Sequence, residues 1–206
     1  MRVLKSTVLL LIGLLVATPA YAIDIAGTVE RLLGSAMAIG ANGFSRPLQQ
    51  GSSILVGDNL ATTSGSRMRL RMRDGATITL GGNSSMTVEA YDDSEDVGQA
   101  VLGLAEGAFS AASGAIAKLG PDRFTVTTPI ATLGVRGTEV WAEQLPGRLE
   151  ITLFTAGSVV VTTPEGSVEL TDAGAGIAVL PGGAPPPPKF WNAEHMEYAH
   201  RSVGFE

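Results

Sequence analysis

Around Met68 the chain alternates strictly: Arg67, Arg69, Arg71 and Arg73 are interleaved with Met68, Leu70 and Met72. A period of two places the arginines on one face of a strand and the apolar residues on the other. Asp74-Gly75 is a hairpin turn signal, and Ala76 to Leu80 returns with the same alternation. Short β-favouring runs recur along the chain between Gly, Asn, Asp and Ser. They predict strands at Ser53 to Val56, Met86 to Ala90, Phe124 to Thr127, Thr138 to Glu143, Leu149 to Thr155, Ser158 to Thr162, Ser167 to Leu170 and Gly176 to Leu180. So many short strands predict an all-β fold of short antiparallel strands in a twisted sandwich or roll with solenoid-like character. One segment departs from this texture. Ala108 to Leu119 is Ala-rich, with Phe109, Ala112, Ile116 and Leu119 at helical offsets, and predicts one short helix near 111–118, weakened by Gly114.

The two ends differ from the middle. Met1 to Ala22 carries Arg2 and Lys5, then an apolar run from Val8 to Ala17, then small residues before Ala22, the build of a signal peptide cleaved after Ala22. The apolar run is well short of the roughly 20 residues of a spanning helix. The expected product is a periplasmic or secreted protein without a transmembrane span after cleavage. Four prolines at 185 to 188 predict a stiff spacer. The expected organisation is therefore a signal peptide over 1–22, a β-domain over 23–184 and a Pro-rich spacer with an aromatic tail over 185–206. Phe190, Trp191, Tyr198 and Phe205 crowd into that tail. Such a cluster either folds back across the β-domain or docks on a partner.

Composition narrows the function. Among 206 residues there are 20 acidic against 14 basic, which is the wrong balance for neutralising phosphates, so no nucleic-acid partner is expected. Cysteine is absent, which excludes disulfides, thiolate metal sites and a Cys nucleophile. The only histidines, His195 and His200, are five apart in the tail and match neither a zinc pair nor a triad. Without His in the main domain, the usual nucleophile and base pairs are missing, so neither an enzyme, a metal site nor a cofactor is expected. Asp92, Asp93, Glu95 and Asp96 lack the spacing and glycine of a calcium loop, and read as a solvated loop or as partners for the arginine row. That row, Arg67, Arg69, Arg71 and Arg73, reads in two ways. It is either an anion-binding strip or a solvated face of surface ion pairs on a charge-protected strand.

The run Thr127-Thr128-Pro129-Ile130-Ala131-Thr132-Leu133-Gly134-Val135-Arg136-Gly137-Thr138-Glu139 resembles the signature of the FecR domain, the periplasmic region of iron-siderophore sensor proteins. Two further pieces fall in order: Gly51, Gly57-Asp58 and Thr62-Thr63 upstream, with Asp74-Gly75 and Leu80, and Phe154-Thr155-Ala156-Gly157-Ser158-Val159 downstream. The resemblance covers roughly residues 27 to 180. It implies an exported β-domain with a role in recognition. In the best-known members a cytoplasmic anti-sigma segment and a membrane helix precede this domain, which binds a receptor's signalling domain, and no such arm precedes Ala22 here.

Read physically, Pro129 fixes φ and biases Thr128 to extended backbone, and Gly134 and Gly137 admit positive φ or close approach. Arg136 is expected to be partly buried, bonded to carbonyls or to a carboxylate such as Asp58 beside Gly57, with Thr138 completing the motif. The leading expectation is a non-catalytic recognition or sensory module with a protein partner in the cell envelope, or with a glycan or other anionic ligand. The alternative is a secreted scaffold that self-associates or binds envelope polysaccharide.

Overall fold

The computed structural model describes residues 24–94, 96–120 and 122–205. The expected signal peptide lies outside the described residues. Seventeen strands, one 3-10 turn and one α-helix make up the described chain. In order they are β1 (Ile25–Leu33), β2 (Ala36–Ile39), β3 (Ser45–Pro47), β4 (Ser53–Leu55), β5 (Asn59–Thr62), β6 (Arg67–Met72), β7 (Thr77–Leu80), β8 (Ser85–Asp92) and β9 (Gln99–Ala112). After the 3-10 turn Ile116–Lys118 come β10 (Phe124–Thr127), β11 (Thr132–Arg136), β12 (Glu139–Leu145), β13 (Arg148–Leu153), β14 (Ser158–Thr163), β15 (Gly166–Leu170), β16 (Ala175–Val179), β17 (Lys189–Phe190) and α1 (Ala193–Val203).

The strands form two sheets that meet in β9. The first runs β4-β1-β6-β7-β9-β12-β13-β16-β17, all antiparallel. The second runs β3-β2-β5-β8-β9-β10-β11-β14-β15, antiparallel except for the parallel β9–β10 pair. The first half of β9 serves the second sheet and its second half, from Gly107 onward, serves the first. Beyond β9 the hairpins alternate: β10–β11 and β14–β15 lie in the second sheet, β12–β13 and β16–β17 in the first.

Period two decides what lies between the sheets. Met68, Leu70 and Met72 point inward from β6, Ile78 and Leu80 from β7, and Phe109 and Ala111 from β9. They share one core with Leu60, Val88, Leu102, Phe124, Val126, Leu133, Val135, Val159 and Val161 of the second sheet. The all-β expectation holds, and the strand pattern of 67–80 is reproduced together with its turn, where Gly75 has φ 86°.

The expected helix near 111–118 shrinks to the turn Ile116–Lys118, because Ala108 to Ala112 continue β9 between β7 and β12. Alanine is there for closeness rather than for helix propensity. Ala108 lies under α1 on the outer face while Phe109 and Ala111 fill the core, and tertiary packing overrides the local preference.

The tail returns to the fold. Lys189 and Phe190 pair with β16, and α1, opened by Asn192 accepting from the His195 amide, lies against the outer face of the first sheet. There Trp141, Ala108, Ala199 and Val203 form a second small apolar cluster, with Phe154 against it.

Candidate functional site

The motif that carries the resemblance builds joints between the sheets. Thr128 and Ala131 bracket the β10–β11 turn. The Thr128 hydroxyl accepts from the amides of Ile130 and Ala131, at 3.1 and 3.0 Å, and donates to the Ala131 carbonyl. Pro129 sits in the tip, where its fixed φ suits the turn and its missing N–H is not needed. Gly134 is an ordinary strand position between Thr125 and Val160, and a side chain there would approach the Asp122 carboxylate. Gly137, at φ 63°, provides the left-handed residue that passes the chain from β11 to β12. Thr138, buried just after it, donates to the Thr155 carbonyl at 2.6 Å, and the Thr155 hydroxyl accepts from the Glu139 amide at 2.8 Å. The TTP-to-RGT run and the FTAGSV run are thus in direct contact.

Arg136 corrects the expectation of a buried cross-link. It is exposed and does not meet Asp58, because Leu133 and Val135 take the inward positions of β11 and period two turns Arg136 outward. We expect Arg136→Lys to leave the melting temperature unchanged within about 1 °C, as for surface changes generally; calorimetry of the two proteins checks this. The cross-link at Asp58 is made instead by Arg46, which sequence reasoning did not single out. The Arg46 guanidinium grips the buried Asp58 carboxylate in a two-pronged contact, Nη1 to Oδ1 at 2.8 Å, and also donates to the Ser53 carbonyl. Asp58 further accepts from the Leu55 amide at 2.7 Å, while Gly57, at φ 88°, turns the chain between β4 and β5. The carboxylate holds the Arg46 guanidinium more firmly protonated than usual, chiefly through the hydrogen bond.

The arginine row divides into ends and a middle. Arg73 is occupied by Asp24 and Asp93, at 2.9 and 3.3 Å, and by the Tyr91 carbonyl. Arg67 donates to the carbonyls of Ser66 and, from α1, Arg201. Arg71 meets the exposed Glu30 at 3.1 Å. Arg69 stands directly opposite Arg31 of β1, with the Phe205 ring against both guanidiniums. Of the acidic loop named from the sequence, Asp93 reaches the row and Asp92 accepts from Ser94, which holds its carboxyl below the usual range, while Glu95 lies outside the described residues.

The tail supplies the other charged ground of the same face. Tyr198 donates to both oxygens of Glu143 at 2.9 Å, and Trp141 Nε1 donates to Ser202 at 2.8 Å. Burial pushes Glu143 up against the opposing effect of that hydrogen bond, and burial together with Glu143 pushes the Tyr198 phenol up to about 12. His195 stacks on Trp191 with centroids 3.9 Å apart and meets the edge of Trp141. Burial lowers its pKa, with Glu150 opposing and Lys189 and Arg148 adding to the drop. A group whose folded pKa is depressed contributes stability that is present above its unfolded value, 6.5, and lost as pH falls. Glu143, with a raised folded pKa, acts in the opposite sense, its contribution growing as pH falls toward 4.5. We therefore expect the wild type to lose melting temperature on acidification below pH 6.5 relative to His195→Gln, whose profile is flatter in that window; parallel thermal melts read this.

Among the described residues, no group of three or more His, Asp or Glu is placed to hold a metal ion, and no helix is long and apolar enough to cross a membrane. The outer face of the first sheet presents guanidinium, hydroxyl, amide and carboxylate groups around an open groove.

Comparison with known proteins bears on the fold and the family. Two solved structures of a "putative anti-sigma factor" from Parabacteroides distasonis superpose with TM-scores of 0.55 and 0.54 at 20% identity. The match covers 68% of this chain and 62% of each of those, so the chain spans less than two thirds of their length. The likeness is one of fold. None of the curated proteins compared matches in sequence. The family model described as FecR protein matches residues 58–169, from the Asp58 turn through the TTP-to-RGT joint to β15. By that match, over more than half of its length, the chain belongs to the FecR family.

Proposed function

We propose that the protein is a non-catalytic recognition module of the cell envelope, the sensory part of a signalling system. The observation that carries this reading is the arginine-lined outer face of the first sheet, presented by a FecR-family fold whose signature residues are spent on turns and joints. The motif maintains the scaffold and leaves the recognition to the face. The signal-peptide pattern of residues 1–22 supports an exported location, and a protein partner in the envelope fits the family.

The test is crosslinking of the tagged mature chain in its native envelope, followed by mass spectrometry. Near-stoichiometric recovery of a receptor or a membrane-bound transducer is the expected result. Recovery of the chain alone would sink the sensory reading. One observation favours a scaffold that self-associates as the second reading: Met37, Ile39 and Phe44 are exposed together on the β2–β3 hairpin, with Phe44 at 77%. Concentration-dependent oligomers abolished by Phe44→Ser would support it.

A further inference from the structure

We infer that Arg31, Arg69 and Arg71, walled by Phe205 and the end of α1, form a binding site for an acidic polysaccharide of the uronate type. The inference rests on the recognition reading and names the ligand class of its face.

The sheet register brings the three guanidiniums together. Arg31 is opposite Arg69 in the β1–β6 ladder, and Arg71 follows Arg69 by two residues on the same face. Successive outward side chains on a strand are about 6.4–6.8 Å apart, so Arg69 and Arg71 present their charges in a row along which an extended polyanion can lie. Like charges directly opposite one another in a ladder oppose pairing. The placement therefore carries a standing cost that an anion bound between them removes. The protein is acidic overall, with a formal net charge of −6, so this basic ground is local.

The neighbouring arginines show what a purely structural role looks like on this strand. Arg67 is fixed by two backbone carbonyls and Arg73 by two carboxylates and a carbonyl. Arg69, by contrast, has a long contact to the Thr79 hydroxyl at 3.5 Å and the Phe205 ring 5.0 Å from its Cζ, which is 4.6 Å from Arg31 Cζ. Arg71, half exposed, donates to the Gly75 carbonyl at 3.2 Å and to Glu30, which is exposed too, so that ion pair is weak and exchangeable in water.

The surroundings select among anions. Gln50 and Thr77 line one side of the groove with amide and hydroxyl groups beside the Glu30 carboxylate, which Arg71 pairs, and His200, Arg201 and Phe205 line the other beside Glu197, which Arg201 pairs. A sugar acid matches this set. Its carboxylates take the guanidinium forks in two-pronged contacts, its hydroxyls meet Gln50 and Thr77, and its ring face lies on Phe205. The groove is open and shallow, which suits a polymer running across the sheet rather than an enclosed small molecule.

Titration of the mature chain with polygalacturonate, followed by calorimetry at low and at physiological salt, tests the site. Binding that weakens with salt, falls at least tenfold in Arg69→Gln and in Arg31→Gln, and is unaltered in Arg136→Gln on the other sheet is expected. Neutral dextran should not bind. Unchanged melting temperatures in the two groove variants keep a loss of binding from being a loss of fold. Equal binding by wild type and groove variants overturns the site. Binding of phosphatidylglycerol vesicles in place of polygalacturonate overturns the ligand class. If polygalacturonate fails while crosslinking still recovers a protein partner, the inference falls and the recognition reading stands.

Discussion

Removing residues 189–206 should lower the melting temperature by about 10–15 °C. The deletion strips β17 from the edge of the first sheet and α1 from its outer face, and bares Trp141, which is fully buried in the intact chain. It also orphans the indole N–H held by Ser202, the Glu143 carboxylate held by Tyr198 and the Phe154 ring stacked on His200 at 3.9 Å. Uncovering one large aromatic with its packing partners costs about 3–5 kcal/mol. At about 2–4 °C per kcal/mol for a domain of this size, the shift is readily seen by scanning calorimetry. A truncated protein that melts with the full chain would mean that the tail contributes nothing to the fold. Ser202→Ala alone should cost about 1 kcal/mol, the worth of one hydrogen bond.

Arg46→Ala should destabilise the protein by about 2–3 kcal/mol, read from the urea midpoint at constant m-value. Asp58 is 1% exposed, so the substitution leaves a buried carboxylate with the Leu55 amide as its remaining hydrogen-bond donor. Removing one partner of a fully buried pair costs about 3–5 kcal/mol, and the lower figure reflects water reaching the Arg46 side, which is 35% exposed. Arg46→Lys should recover only part, since an ammonium cannot reproduce the fork that spans both oxygens and the Ser53 carbonyl. A midpoint shift of under 0.5 kcal/mol for Arg46→Ala would contradict the structural role.

The comparison of these two sites shows where a sequence speaks. The row Arg67 to Arg73 was legible because period two is a local property: inward Met68, Leu70 and Met72 fix the outward set without knowledge of neighbours. The Thr128 turn was legible for the same reason, Pro129 and the threonine hydroxyl acting within four residues. Arg31 was not legible as part of the site. Its place beside Arg69 depends on the pairing of β1 with β6, and strand pairing is a long-range event that no local pattern encodes. Arg46 is likewise not legible, being joined to Asp58 from β3, twelve residues away with β4 between them, whereas Arg136, flanked by glycines, is an outward strand residue. The helix expected near 111–118 reduces to the turn Ile116–Lys118 because the Ala-rich stretch before it is strand, with Ala108 small to admit α1, a contact made across the whole chain.

The strand β9 has a consequence for how the molecule opens. It is hydrogen-bonded on both flanks in each of its halves, to β8 and β10 and then to β7 and β12. Neither sheet therefore owns a central strand of its own, and neither can melt while the other keeps its ladder. The amides of β9 that are flanked on both sides, in residues 101–103 and 109–112, exchange with solvent only when the entire domain unfolds, so the two sheets behave as a single foldon. A stable half-protein cut at the boundary between the sheets has no place to be cut.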